Sequence, residues 1–199
     1  MHFWLFLPSI LGAATLAAML RMIFYRPRCD LDQVIRFARK LDTSELSRLF
    51  DADEEWGMRT LCSEKEFRRL QRERMRLAFE YVQRIGHNAE LIQTWAATLY
   101  EEIRLKPRDE ITEQDYLVWQ LLELAGELRV YHLCAMVRIR IWLLLYAHRW
   151  PRPWMPRVAV LGKDNTFDVV SEYGRLIELS GCLSRTYGDH YCRELLSAL

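Results

Sequence analysis

Apolar residues at the start of the chain form a run of the length that crosses a membrane. Residues His2 to Leu20 contain no Asp, Glu, Lys or Arg. At 1.5 Å per residue, a helix of this length covers roughly 28 Å, close to the thickness of the hydrocarbon core of a bilayer. More apolar residues follow Arg21, whose long side chain can reach the headgroups. We therefore expect a transmembrane helix over residues 3–24.

Two alternatives to a retained anchor stay open. A cleaved signal peptide normally begins with positive charge, whereas this chain begins Met1, His2, Phe3, Trp4. The small residues around Ala17 resemble a cleavage site, but a cut there would leave a second apolar stub. A buried core helix of a soluble protein would be unusually long and uniformly apolar for a chain of this size. The retained anchor is the leading prediction.

Basic residues lie only on the C-terminal side of this apolar segment. The positive-inside rule therefore places the N-terminus outside and the rest of the chain in the cytoplasm. We predict an anchor over residues 1–28 and a cytoplasmic domain over residues 29–199. The five cysteines form no C-x-x-C pair, as expected of reduced thiols. The basic flank of the anchor consists of Arg21, Arg26 and Arg28.

Beyond the anchor, apolar residues recur at helical spacing. Ser63 and Glu66 form a capping box that begins a long helix, and Pro107 ends the pattern. Thr112 with Asp115 begins another helix after a loop of about six residues, which favours an antiparallel hairpin. The apolar face predicted for the first arm consists of Phe67, Leu70, Leu77, Tyr81, Ile85, Ile92, Ala96, Leu99 and Ile103.

These patterns predict an all-α fold, with one transmembrane helix followed by a compact domain built around this hairpin. A break near Gly86 in the first arm stays open. The acidic run Asp51–Glu55 is expected to be a solvated loop, although an internal ion-pair role is also open. The hairpin arms are expected at about 64–105 and 113–149, short helices at 31–41 and 44–50, and C-terminal helices at about 167–185 and 189–199.

Composition and charge exclude some classes of function. Apolar residues make up 51% of the 199 residues, which excludes a disordered chain. With a formal net charge of +1, the chain as a whole has no electrostatic field that would attract nucleic acid. The basic stretch Arg68–Arg76 is interpreted as a solvated face with ion pairs four residues apart, rather than as a phosphate site.

Motifs for catalysis or cofactors are lacking in the sequence. The five histidines show no metal-ligand spacing, and His190 with Glu194 and nearby Cys192 is the best pair on offer. Neither a Gly-rich phosphate loop nor a nucleophile elbow occurs. Cys134 lies in an apolar helix, where burial is the expected role. We predict no cofactor and no metal.

The segment Leu128–Gly162 contains no Asp or Glu but six arginines. Trp, Tyr and Arg at the edge of an apolar stretch are typical of a membrane–water interface. Charges in the middle of this helix argue against a second span. The segment is thus either a buried central helix or a contact for the inner leaflet or a partner protein. The candidate contact residues are Arg138, Arg140, Trp142, Arg149, Trp150, Arg152, Trp154 and Arg157.

The leading functional hypothesis is a non-enzymatic adaptor, regulator or accessory subunit with a single membrane span. Its expected partners are the bilayer, through the N-terminal helix, and another membrane or cytoplasmic protein. A membrane-bound all-α enzyme acting on a lipid-like substrate is the alternative, although the acidic pairs that bind Mg²⁺ in such enzymes are missing. A nucleic-acid-binding helical domain is the least expected class.

Overall fold

The chain is described here from a computed structural model, which covers residues 28–49, 51–147 and 169–199. Every regular element in these ranges is helical, which confirms the all-α prediction for this part of the chain. A short 3₁₀ turn at Arg108–Glu110 separates the two longest helices. The helices are α1 (Leu31–Phe37), α2 (Thr43–Leu49), α3 (Ala52–Leu61), α4 (Glu64–Ile103), α5 (Glu113–Ala147), α6 (Val169–Arg185) and α7 (Asp189–Ala198).

The predicted transmembrane segment lies outside the described residues. Of its basic flank, Arg21 and Arg26 also lie outside them, and Arg28 is exposed. Among the helices that the structure describes, none is both long enough and apolar enough to cross a membrane.

Side-chain caps begin the helices where the sequence predicted them. The Ser63 hydroxyl accepts a hydrogen bond from the Glu66 amide at 3.4 Å, and the Glu66 carboxylate accepts one from the Ser63 amide at 3.1 Å. The Asp115 carboxylate accepts from the Thr112 amide at 2.8 Å before α5. Because each cap satisfies an amide that the first turn leaves without a partner, it fixes where the helix starts.

Helices α4 and α5 form the long antiparallel hairpin. Later residues of α4 pack against earlier residues of α5, as in an antiparallel pair. Gly86 lies against His132, and the Tyr100 ring packs edge-on against the Trp119 ring with 5.6 Å between their centres. Helix α4 is continuous through Gly86, so the break left open by the sequence does not occur. The buried apolar residues of α5 recur at helical spacing: Val118, Leu121, Leu124, Ala125, Leu128, Ala135, Ile139 and Trp142.

The apolar face predicted for α4 is partly wrong. Leu70 and Leu77 are exposed, while Met75, Ala78 and Val82 are buried. Both sets fit a helical period, and only the position of α5 decides between them.

Asn88, a polar side chain, joins α4 to three other parts of the core. Its amide nitrogen donates to the Arg39 carbonyl at 2.8 Å and to the Tyr173 hydroxyl at 2.6 Å. Its amide oxygen accepts from the Arg39 amide at 2.8 Å. The Tyr173 hydroxyl donates in turn to the Leu199 carbonyl at 3.4 Å. Burial of these polar groups costs little because each of them has a hydrogen-bond partner. The network therefore fixes α1, α6 and α7 against the hairpin.

The acidic run is not a loop. Asp51 caps α3, and the residues after it form the first turn of that helix, where negative charge is favoured. Glu54 pairs with Arg48 at 2.9 Å and lies 3.8 Å from the Arg74 guanidinium. The internal ion-pair role left open by the sequence is therefore the one that the structure shows.

Candidate functional site on the outer face of helix α5

The side of α5 that points away from α4 changes character along the helix. In its first half this side carries exposed polar residues, among them Gln120, Glu123 and Glu127. From residue 130 onward it carries exposed apolar residues. These are Val130, Leu133, Val137 and Ile141, with exposed fractions of 60, 56, 56 and 51%. We call these four residues, with Arg138 and Arg140, the α5 outer face.

The outer face lies where the main core has ended. Leu128 is the last residue of α5 in the core that α1, α6 and α7 share with the hairpin. Beyond it, Ala135 and Ile139 pack with Val82 in a separate small cluster between α4 and α5. Of the described elements, α4 is therefore the one that covers this half of α5, which leaves its opposite side open.

Two arginines border the apolar residues. Arg138 and Arg140 are exposed, and the Arg140 guanidinium lies 5.3 Å from the centre of the Phe79 ring, a cation–π contact. Within the described residues, neither arginine forms an ion pair with a carboxylate. Arg129, the residue just before the face, instead reaches Glu90 at 3.3 Å and Gln93 at 2.7 Å. Positive charge on the face is thus left for an outside group.

The other predicted contact residues are placed differently. Trp142 is only 6% exposed, so it is not part of the exposed outer face. The remaining candidates lie outside the described residues. They are Arg149, Trp150, Arg152, Trp154 and Arg157.

Sequence reasoning missed the apolar members of the face. The contact residues predicted from the sequence are arginines and tryptophans, whereas the exposed apolar surface consists of Val130, Leu133, Val137 and Ile141. A signal was present, because the residues between Val130 and Ala147 are apolar on nearly all sides of the helix. A helix that packs on one neighbour needs an apolar stripe of only about 100°. The surplus outside that stripe is apolar surface that packing on α4 leaves exposed.

His132 lies near the start of this half of α5 and packs on Gly86 of α4. A Cβ built on Gly86 would overlap the imidazole ring, so glycine is what allows the two helices to approach here. Burial lowers the pKa of His132 below its usual value. The imidazole is therefore a neutral packing group between α4 and α5.

The described residues show no cluster of three or more His, Cys, Asp or Glu side chains that could hold a metal ion. His190 does meet Glu194 at 3.1 Å, as an exposed pair one turn apart on α7. Cys192 is buried, so it does not join them. These two side chains thus form a surface contact on a terminal helix.

The cysteines depart from expectation in one case. Cys134 is exposed on α5, so the prediction that it is buried is wrong. Cys29 is buried, its amide donates to the Thr98 hydroxyl at 3.2 Å, and burial raises the pKa of its thiol. Because the thiolate is the reactive form, this burial disfavours chemistry at Cys29.

The basic stretch at the start of α4 is largely used within the protein. Arg68 pairs with Glu64 at 2.9 Å and Arg69 with Glu73 at 3.1 Å, each one turn apart. Arg74 is 7% exposed, and its guanidinium donates to the carbonyls of Arg48 at 2.7 Å and Asp51 at 3.0 Å. The sequence placed Arg74 on a solvated face, and the structure corrects that placement.

Comparison with known proteins gives no relative from which a role could be taken. Residue roles must therefore be inferred from the contacts and exposures described above. Among these features, the α5 outer face is the one whose apolar residues the packing of the domain explains least. No protein-family model matches the chain, and neither a curated protein nor a solved structure is found to match it.

Proposed function

We propose that the protein is a membrane-anchored helical adaptor or accessory subunit. Residues 3–24 would hold it in the bilayer with the N-terminus outside, and the helical domain would work at the cytoplasmic surface. The observation that carries the proposal is the α5 outer face. Exposed apolar residues that recur on one side of a helix mark a contact surface.

The shape of the face favours an adaptor over an enzyme. It is the convex side of one helix, which suits an extended neighbour, whereas small substrates are bound in concave sites. Beneath the face, α5 packs on the continuous helix α4 through Val82, Ala135 and Ile139. A surface supported by a packed helix loses less entropy on binding than a flexible segment would.

The two other classes gain no support from the described residues. An enzyme acting on a lipid-like substrate would require a set of catalytic groups beside the apolar surface. The polar side chains there include Arg138, Arg140 and Cys134, and the described residues form no metal-binding cluster. A nucleic-acid-binding domain would require the Arg68–Arg76 stretch to be available. Arg68, Arg69 and Arg74 have partners inside the protein.

Affinity purification of the full chain from detergent-solubilised membranes tests this function. We expect a membrane protein to copurify in stoichiometric amount after mild cross-linking in the intact membrane. A preparation that carries no protein partner but a bound lipid, which it converts to product on incubation, would contradict the adaptor and support the enzyme.

A further inference from the structure

We propose that the α5 outer face rests on a membrane leaflet that contains anionic lipids. Its apolar residues would lie against the upper acyl chains, and Arg138 and Arg140 would contact lipid phosphates. This inference rests on the proposed function, since it supposes that the anchor already holds the domain at the bilayer.

The spacing of the apolar residues suits shallow insertion. Val130, Leu133, Val137 and Ile141 follow one another at intervals of three or four residues, so they share one side of the helix. Their Cα atoms cover roughly 16 Å along the axis. Helices that lie in the plane of a membrane bury such a stripe to the headgroup boundary and keep their arginines at its edge.

The charge of the segment decides which occupant fits. Between Leu128 and Gly162 the chain has no acidic residue, and Arg138 and Arg140 have no carboxylate partner among the described residues. An occupant that supplies negative charge is therefore the best match to the face. A leaflet containing anionic lipid does so along the whole length of the face.

Two other occupants match the charge of the face less completely. The apolar N-terminal segment of this chain has no Asp or Glu between His2 and Leu20 to lie against the two arginines. A second copy could place its exposed Glu127 opposite Arg138 only in one offset antiparallel register, whereas a leaflet presents phosphates along the whole face.

The same arginines make a full span unfavourable. Arg138 and Arg140 lie near the middle of the apolar part of α5, where a charge inside the hydrocarbon core is costly. At the headgroup level the same charges are favourable. Each arginine near an anionic surface strengthens binding by roughly fivefold. Since the anchor would keep the face at high local concentration, even a weak contact would be occupied.

Thiol protection in vesicles tests the inference, because the chain carries its own probes. Cys134 is exposed on α5 beside the outer face, and Cys182 is exposed on α6. The full chain is reconstituted into vesicles of phosphatidylcholine alone or with 30% phosphatidylglycerol. It is treated with a charged, membrane-impermeant maleimide, and each cysteine is quantified by peptide mapping. Dividing the labelling of Cys134 by that of Cys182 in the same molecules removes the effect of mixed orientation.

We expect the labelling ratio to fall severalfold when phosphatidylglycerol is present. Arg138→Gln with Arg140→Gln should restore the ratio seen with phosphatidylcholine alone. The matched variant Arg68→Gln with Arg69→Gln removes the same charge from exposed positions on α4 and should leave the protection intact. Salt at 0.5 M should weaken the protection, because it screens the phosphates.

The outcomes separate this inference from the anchor. Equal Cys134 labelling in both vesicles, with protein that resists alkaline carbonate, overturns the lipid contact and leaves the anchor standing. Loss of the protein to carbonate, with Cys134 still protected at neutral pH in low salt, overturns the anchor and supports the contact. Protection in native membranes but not in vesicles of pure lipid overturns the inference in favour of a protein partner.

Discussion

The imidazole of His132 on α5 packs directly over Gly86 on α4, in the space where any other residue would place its Cβ. This contact sets the separation of the two arms of the hairpin at the point where the main core gives way to the smaller cluster around Val82.

Gly86→Ala should therefore destabilise the domain. Alanine in a helix interior is favoured over glycine by about 1 kcal/mol, but the overlap with His132 should cost more than this, roughly 1–3 kcal/mol. Thermal unfolding of the full chain in mild detergent, followed by circular dichroism, measures the balance.

Gly174→Ala is the matched control, because nothing lies within 4 Å of a Cβ at that exposed position on α6. It should stabilise the domain by about 0.5–1 kcal/mol. Stabilisation by both variants alike would show that His132 does not pack on Gly86.

His132 should make the stability depend on pH near neutrality. Burial lowers its pKa in the folded domain below the usual 6.5, so the unfolded chain binds the proton more readily. Stability is then full above about pH 6.5 and falls as the pH drops from there toward the folded pKa. His132→Gln should flatten this part of the profile, measured as melting temperature between pH 8 and pH 5.

His190→Gln is the corresponding control, since His190 is exposed and paired with Glu194 on the surface. It should keep the fall in stability below pH 6.5 that His132→Gln removes. An unchanged slope in His132→Gln would contradict the buried, neutral imidazole.

Tyr173 should give a second, alkaline transition. Burial raises its pKa from 10 to about 12, so the folded domain holds the phenolic proton more tightly than the unfolded chain does. Stability should accordingly fall as the pH rises from about 10 to about 12. Tyr173→Phe should remove this part of the fall and cost about 1 kcal/mol at pH 7, since Asn88 loses one partner.

Urea unfolding at pH 7 and between pH 9 and pH 11 measures both effects. Tyr116→Phe serves as the control, because Tyr116 is 65% exposed. If Tyr173→Phe and Tyr116→Phe gave the same alkaline profile, Tyr173 would not be buried against Asn88.

Arg74 should matter far more than its neighbours in the basic stretch. Its guanidinium satisfies the carbonyls of Arg48 and Asp51, which end α2 and begin α3. Arg74→Met should cost about 1–3 kcal/mol in urea unfolding, because the carbonyls of Arg48 and Asp51 lose their donor. Arg68→Met, at an exposed and paired position, should stay within about 0.5 kcal/mol of the wild type. Equal losses of stability in the two variants would contradict the buried position of Arg74.

Local signals were enough to predict much of the fold. The Ser63–Glu66 and Thr112–Asp115 pairs act within one turn, so the sequence contains all that decides where α4 and α5 begin. Pro107 likewise fixes the end of the pattern between them. For the same reason the hairpin and the two C-terminal helices could be expected from the sequence.

What the sequence could not decide depends on contacts between distant residues. Leu77 and Val82 both fit the helical period of α4, and only the line along which α5 packs exposes one and buries the other. Arg74 looks like any arginine on a charged helix until α2 and α3 fold over it. The α5 outer face could not be predicted for the same reason. The sequence shows that a residue is apolar, but it does not show whether another helix covers that residue.

Alkaline carbonate extraction of membranes from cells that express the full chain tests the central claim most directly. If residues 3–24 form a retained transmembrane anchor, the protein stays in the membrane pellet. Leu11→Arg with Ala14→Arg, which places two charges at the centre of the segment, should release it. Release of the unaltered protein into the supernatant would contradict the account.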